Sequence, residues 1–390
     1  MSARALLKDR RLYVIFTITM IAVMGVASIT PVLPRMALEL HLTKAQAALL
    51  VSGFTFPGIF LTPLAGIAAD HWGRKTVLVP SLFLFAFAGF SLFFVHDFHW
   101  MFMLRILQGV GASALGALNS TLIGDFFKGR ERSEAMGYNS SVLSLSTACY
   151  PLIGGALAGF AWYFPFLLPL LAIPVGLFVA FGVEEPSIQR AAGFKEYLSA
   201  ISGNLFRKQV AGLFMIGILT FVILYGAVIT YNPFLMHQKF GLSAPKIGLI
   251  ISLSSLTMAL FASQAGRLSH RFGKIPLVRV AFFLYVVVCI MLPHMDNVYW
   301  FIIPILIFGC AQGLNMPNFQ TAIADLAPDN QRGAFMSLNG MVLRLGQTLG
   351  PLIIGLGDKI GGLSGAYYTA ALAAVLGLVI LFTVLRETSE

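Results

Sequence analysis

Charge is scarce in this chain. Of its 390 residues only 11% are Asp, Glu, Lys or Arg, whereas 58% are hydrophobic. A soluble domain carries about 25% charged residues, so there is too little polar surface to keep a chain of this length in water. Intrinsic disorder is excluded as well, since it needs low hydrophobicity and high charge. Cysteine is almost absent. Cys149, Cys289 and Cys310 each fall inside an apolar stretch, without metal-ligand spacing or a disulfide framework, and read as small apolar packing residues. No histidine occupies the middle of an apolar stretch: His41, His71, His96, His99, His237, His270 and His294 all lie at ends or in loops. The sixteen acids are likewise confined to loops, tails and the ends of apolar stretches. With no HExxH, no paired Asp at depth and no Gly-rich phosphate loop, an intramembrane enzyme and an ATP-driven pump are both disfavoured.

What remains is apolar and long. A membrane helix needs about 20 mostly apolar residues, and twelve runs qualify. They are Leu12–Pro34, Ala45–Ala69, Thr76–Val95, Phe98–Phe127, Ala135–Phe160, Trp162–Val183, Val210–Met236, Ala244–Leu268, Ile275–Leu292, Val298–Leu326, Phe335–Leu356 and Ser364–Leu385. The first is too long for a signal-peptide core and lacks a small-residue cleavage site. Ten-residue alternation, the mark of a membrane barrel, is not seen. The expected fold is therefore all-α and integral to the membrane.

The charges that exist are lopsided, with a net +10. In a soluble protein this would suggest nucleic acid; here its distribution along the chain gives a different reading. Placing the N-terminus inside leaves five cations in outer loops or at outer run ends (Arg35, Lys44, Lys239, Lys246, Lys359) and two deep within runs (Arg105, Arg344). The other 19 of 26 fall on the inner side. By the positive-inside rule both termini are expected in the cytoplasm, with no nucleic-acid partner.

The chain is also duplicated. At an offset of 200, Thr121, Ile123 and Asp125 face Thr321, Ile323 and Asp325, and Arg132, Asn139, Pro151 and Gly155 face their identical counterparts. In all, 13 of the 35 positions from 121 to 155 match, among them Asp, Arg, Asn and Pro, which an apolar composition does not supply by chance. Two six-helix repeats imply a pseudo-symmetric pair of bundles with a site between them. The expected organisation is an N-terminal bundle at 1–183, a cytoplasmic linker at 184–208 and a C-terminal bundle at 209–390. Within the linker, Phe194, Tyr197, Leu198, Ile201 and Leu205 have the spacing of an amphipathic helix on the inner membrane surface. Runs 6 and 9 contain no Ser, Thr, Asn or Gln, and every third run is poor in them, as expected of helices that face lipid.

Three motifs carry chemistry. Gly66-Ile-Ala-Ala-Asp70-His-Trp-Gly73-Arg74-Lys75 closes run 2 and turns into run 3. Gly66 permits close helix approach, Gly73 suits a tight turn, Asp70 can pair with Arg74 or cap the next helix, and Arg74 and Lys75 hold the loop inside. A degenerate copy with Gly266, His270, Gly273 and Lys274 follows 200 residues later. The doubled loop resembles the signature of the major facilitator superfamily, whose members are 12-helix secondary transporters. The resemblance spans essentially the whole chain and implies a charge cluster of Asp70, Arg74 and Asp125 that latches the cytoplasmic gate, with Lys274 and Asp325 as a weaker counterpart. Arg105-x-x-Gln108-Gly109 in run 4 resembles a family motif implicated in proton coupling. Read from the residues alone, Arg105 either faces water or a partner, or bonds run 1 carbonyls, and Arg105, Gln108 and Asn119 share one helical face. Gly137, Ser146, Tyr150, Pro151, Gly154 and Gly155 in run 5 resemble the motif of bacterial drug:proton antiporters, with Ser146 and Tyr150 replacing two of its glycines.

A cavity is expected from Gln312, Asn315 and Asn318 in run 10 and from Arg344, Gln347 and Thr348 in run 11. Tyr225 and Tyr231 in run 7 and Tyr138 in run 5 would supply aromatic walls, a lining that suits an amphipathic organic molecule. With Arg105 and Arg344 as the deep charges and no acid at that depth, the cargo is expected to be neutral, zwitterionic or anionic. The combined expectation is a proton-coupled exporter in a bacterial inner membrane, working by alternating access. It would use the proton gradient rather than a cofactor, have membrane lipids as neighbours, and act as a monomer. The competing readings are an exporter or flippase-like carrier of an anionic amphiphile, such as a lipid or metallophore, and an uncoupled facilitator.

Overall fold

A computed structural model describes residues 6, 9–182, 185, 208–327 and 332–385. The described residues are helical almost throughout, and the long apolar helices are α1 Arg10–Glu39, α2 Lys44–Trp72, α3 Arg74–Ser91, α4 Phe98–Phe126, α5 Gly129–Phe160, α6 Phe164–Gly182, α7 Lys208–Phe240, α8 Ala244–Phe272, α9 Lys274–His294 and α10 Val298–Leu326. The last apolar stretch, Phe335–Thr383, runs for 49 residues. At 1.5 Å per residue that is about 74 Å, more than twice the ~30 Å hydrocarbon core. It is divided by Gly361 and Gly362, whose dihedrals are not helical, into α11 (335–360) and α12 (363–383). Gly362 adopts φ +62 and ψ −157, a region open to residues without a Cβ. The sequence placed a loop at 357–363; instead the helix continues to the double glycine and reverses there.

Proline accounts for the other irregularities. α1 breaks after Ala27 into a 3₁₀ turn at Thr30–Val32 with Pro31, then resumes as Leu33–Glu39. α2 bends at Phe56–Pro57, and α6 opens with a 3₁₀ stretch holding Pro165 and Pro169. α7 carries a π-helical stretch, Ile223–Tyr231, just before Pro233. Each proline removes one intrahelical N–H and crowds the preceding turn. α5 starts six residues earlier than its apolar run, because Arg130 and Glu134 pair at 2.8 Å one turn apart and carry the helix past the apolar stretch. The linker stretch 194–205, read as an amphipathic helix, lies outside the described residues.

Helix neighbours repeat between the halves. α1 packs on α5 as α7 packs on α11, α2 on α4 as α8 on α10, and α3 on α6 as α9 on α12. The fold is thus two pseudo-symmetric six-helix bundles. Buried apolar residues form one cluster drawn mainly from 6–179 and another drawn mainly from 210–385. The outer helices expose large apolar side chains, such as Phe87 on α3, Phe181 on α6, Phe283 on α9 and Leu372 on α12, the surface that hydrocarbon solvates. Apolar exposure on this scale identifies a multi-pass membrane protein.

The bundles meet through α5 against α8 and α2 against α11. These contacts concentrate at the end away from the chain termini. A Cβ added to Gly155 would lie 2.6 Å from the Ala244 carbonyl oxygen, and one added to Gly248 would overlap the Pro151 carbonyl oxygen. Backbones this close require glycine. Ser52 donates to the Thr348 carbonyl at 2.9 Å, the Thr55 and Thr348 hydroxyls lie 2.9 Å apart, and Lys44 pairs with Asp358 at 2.5 Å. Toward the terminal end, a Cβ on Gly66, Gly137 or Gly266 would meet nothing within 4 Å. Gly66 therefore does not mediate the close approach expected of it, because the helices have diverged by that depth.

Candidate functional site

At the terminal end, Gly73 adopts φ +103 and turns α2 into α3. This turn aims the Arg74 side chain, 6% exposed, back into the bundle, where Nη1 donates to Asp70 and Nε donates to Asp125 at 2.8 Å. One guanidinium thereby ties the end of α2 to the end of α4. A third carboxylate, Glu185, accepts the backbone N–H groups of Arg74 and Lys75 and satisfies the start of α3. Sequence reasoning missed Glu185, which has no motif of its own; only the return of the chain after α6 brings it to α3. In the C-terminal copy Gly273 has φ +83, and Lys274 pairs with Asp325 alone, with side chains 39% and 52% exposed. His270 stands where the second acid would be.

The mid-membrane polar residues divide into two groups. Arg105 is 1% exposed. Its Nε donates to the Leu50 carbonyl at 3.2 Å, Nη2 to the Gly25 carbonyl at 3.0 Å and Nη1 to Gln108 Oε1 at 2.7 Å, and the Phe54 ring lies 4.5 Å from the guanidinium. These bonds join α4 to α1 and α2 inside the N-terminal bundle. Asn119 donates to the Ile15 carbonyl and the Thr19 hydroxyl and accepts from Asn139 on α5 at 2.8 Å. In the other bundle Gln312 accepts from Tyr285, and Asn315 donates to the Thr220 hydroxyl at 2.9 Å and to Tyr285 at 3.2 Å. Asn318 donates to the Leu314 carbonyl of its own helix. Expected to line a cavity, Gln108, Gln312, Asn315 and Asn318 are instead buried. In apolar surroundings an amide is stabilised most by another helix's polar group.

Arg344 is placed differently. It is half-buried and reaches from α11 across to the other bundle. A Cβ on Gly58 of α2 would lie 2.9 Å from Arg344 Cδ, and one on Gly116 of α4 would lie 3.3 Å from Nη2. Among the described residues its guanidinium has one hydrogen-bond partner, with Nη1 donating to Gln347 Oε1 at 3.0 Å. Tyr225 on α7 lies within its electrostatic reach. Tyr231, by contrast, is 1% exposed and packed near Phe234 and Gly355, while Tyr138 is half-buried against the N-terminal core. Among the run 5 residues, Gly155 and Pro151 make the crossing with α8, and Gly154 abuts the Ser28 carbonyl of α1. Tyr150 is 5% exposed, Ser146 bonds the Val142 carbonyl, and Gly137 stands clear.

Two helical bundles related by a pseudo-twofold axis, crossing closely at one end with polar side chains between them at mid-depth, define a secondary membrane transporter rather than an enzyme. The family model of the Major Facilitator Superfamily matches residues 15–243 and 213–390, and the chain belongs to that family. It is 25% identical over 346 residues to Multidrug resistance protein 2 of Bacillus subtilis, covering 86% of each chain. It is also 25% identical over 360 residues to Quinolone resistance protein NorA of Staphylococcus aureus, covering 89% of each. Among solved structures, the nucleoside transporter NupG superposes with a TM-score of 0.79 at 15% identity, covering 97% of this chain and 98% of that one. The human organic anion transporter MFSD10 superposes with a TM-score of 0.72 at 19% identity, covering 96% and 99%. At these identities the structural likeness is one of fold.

Proposed function

We propose that this protein exports an amphipathic organic compound across a bacterial inner membrane in exchange for protons, by rocking of the bundles 1–183 and 209–390 about their shared crossing. The observation that carries this reading is the asymmetry of the contacts between bundles. They are tight from Lys44–Asp358 to Thr55–Thr348 and absent around Gly66, Gly137 and Gly266. With 184–208 and both termini in the cytoplasm, as the Lys and Arg distribution requires, this geometry is closed outside and open inside. The Arg74–Asp70–Asp125 cluster then lies at the inner gate. The multidrug and quinolone resistance functions in the names of the relatives support outward transport of small organic compounds. The protein acts as a monomer in lipid, with the proton gradient in place of a cofactor. Flux of cationic, neutral and anionic amphiphilic dyes in proteoliposomes under an imposed pH gradient tests the proposal: flux of at least one should rise with the gradient, and flux of all of them indifferent to it would reject proton exchange.

A further inference from the structure

A guanidinium has five N–H donors and no acceptor. Arg105 places three of its donor nitrogens on protein oxygens. Arg344 also lies well inside an apolar helix, yet its guanidinium has one hydrogen-bond partner among the described residues, Gln347, and no carboxylate of those residues pairs with it. Four of its N–H groups are therefore unmet by protein. A cation held among apolar helices without an opposing charge is costly, and such a charge is kept where something else neutralises it in the working cycle. The neighbours leave room for that. Gly58 and Gly116 present no side chain to the guanidinium, and its stem lies on Gly58, so the side chain runs along α2 toward α4. Gln347 adds an amide beside the guanidinium, and the phenol of Tyr225 lies within its electrostatic range. All sixteen acids lie outside the middle of the helices, so no protein carboxylate competes at this depth.

We infer that Arg344, with Gln347 and Tyr225, binds the anionic head group of the transported compound, a carboxylate or sulfonate on an apolar scaffold, between the two bundles. This rests on the carrier reading above and narrows it to a substrate class. The planar guanidinium fork matches a carboxylate in bidentate fashion, and the apolar helices around it suit the scaffold. Because Arg344 belongs to one bundle and its neighbours Gly58 and Gly116 to the other, a bound anion touches both halves, as a ligand that accompanies rocking must.

The test uses labelled 2-naphthoate and its neutral analogue 2-naphthamide in equilibrium dialysis against the purified full-length protein. The wild type should bind naphthoate at least about tenfold more tightly than naphthamide, the scale expected for one charge-assisted pair. Arg344→Gln should bring the two within about twofold, and Arg344→Lys, which keeps the charge and loses the fork, should fall between. Gly58→Ala leaves the charge in place but displaces the stem, and should weaken the preference; it serves if Arg344→Gln proves unfolded. Equal binding of the two probes by the wild type, binding of neither at millimolar concentration, or an unchanged preference in Arg344→Gln would each overturn the inference. Gradient-driven flux of cationic, neutral and anionic amphiphilic dyes measured on the same preparation separates the readings: flux without naphthoate preference keeps the exporter and removes the anion site, while preference without flux of any dye does the reverse.

Discussion

Arg105 and Arg344 both sit well inside apolar helices, in opposite bundles, and their surroundings could hardly differ more. Arg105 sits in a closed cage of two carbonyls, one amide and one ring, all within its own bundle. Arg344 crosses the seam between bundles and keeps most of its donors free of protein. A position inside an apolar helix therefore does not by itself distinguish a structural cation from a binding one. What distinguishes them is how many donors the protein itself satisfies, and whether the side chain stays within one rigid body. The same contrast recurs at the terminal end. Arg74 is held by two carboxylates in a nearly buried cluster, whereas its counterpart Lys274 has one partner in solvent.

The largest effect is expected from exchanging the roles of the two arginines. Arg105→Met strands the Gly25 and Leu50 carbonyls and Gln108, and each stranded buried group costs about 1–3 kcal/mol. Thermal unfolding in detergent should fall by many degrees, whereas Arg344→Met should leave it nearly unchanged. Equal losses in the two variants would dissolve the comparison. The gate comes next. Arg74→Ala should reduce gradient-driven dye flux by about tenfold or more, and Lys274→Ala by about twofold, in keeping with the small worth of an exposed pair; equal effects would show the two copies of the motif to be equivalent. A smaller change is expected at the other end of the seam. Asp358→Asn frees Lys44 and should raise labelling of a cysteine placed at Ser52 by a few-fold, since a partly exposed pair contributes about 1 kcal/mol or less.

The smallest effect concerns the start of α1. Asp9 accepts from the backbone N–H of Arg11 at 2.9 Å and pairs with its guanidinium, and hydrogen bonding to Arg11, its largest influence, holds its carboxyl below the usual range. A lowered carboxylate pKa stabilises the fold above the ordinary value and ceases to do so as pH falls through the lowered one. Asp9→Ala should therefore cost about 1 kcal/mol at neutral pH. The difference from wild type should shrink below about pH 4 in pH-resolved melting curves, and a gap constant with pH would show that the cap acts without its charge.

Much of this molecule was legible in the chain. Apolar runs of membrane length, the 200-residue offset and the Gly73–Arg74 turn are local or periodic signals, and hydrocarbon leaves the backbone few alternatives to the helix. The interior of the site was less legible, for identifiable reasons. Gln312 and Asn315 show the same polar stripe whether they line water or bond Tyr285 and Thr220. Glu185 and Asp358 carry no motif and acquire partners only through the return of distant chain, 111 and 314 residues away.

By itself, then, the sequence determined that the chain is a membrane-spanning bundle of helices, duplicated, with few charges and two deep arginines. Those properties follow from composition and period, which act residue by residue. Only the tertiary structure decided which arginine is enclosed and which is offered to the seam. That depends on which carbonyls and glycines from other helices surround each guanidinium, and helix packing alone sets those neighbours.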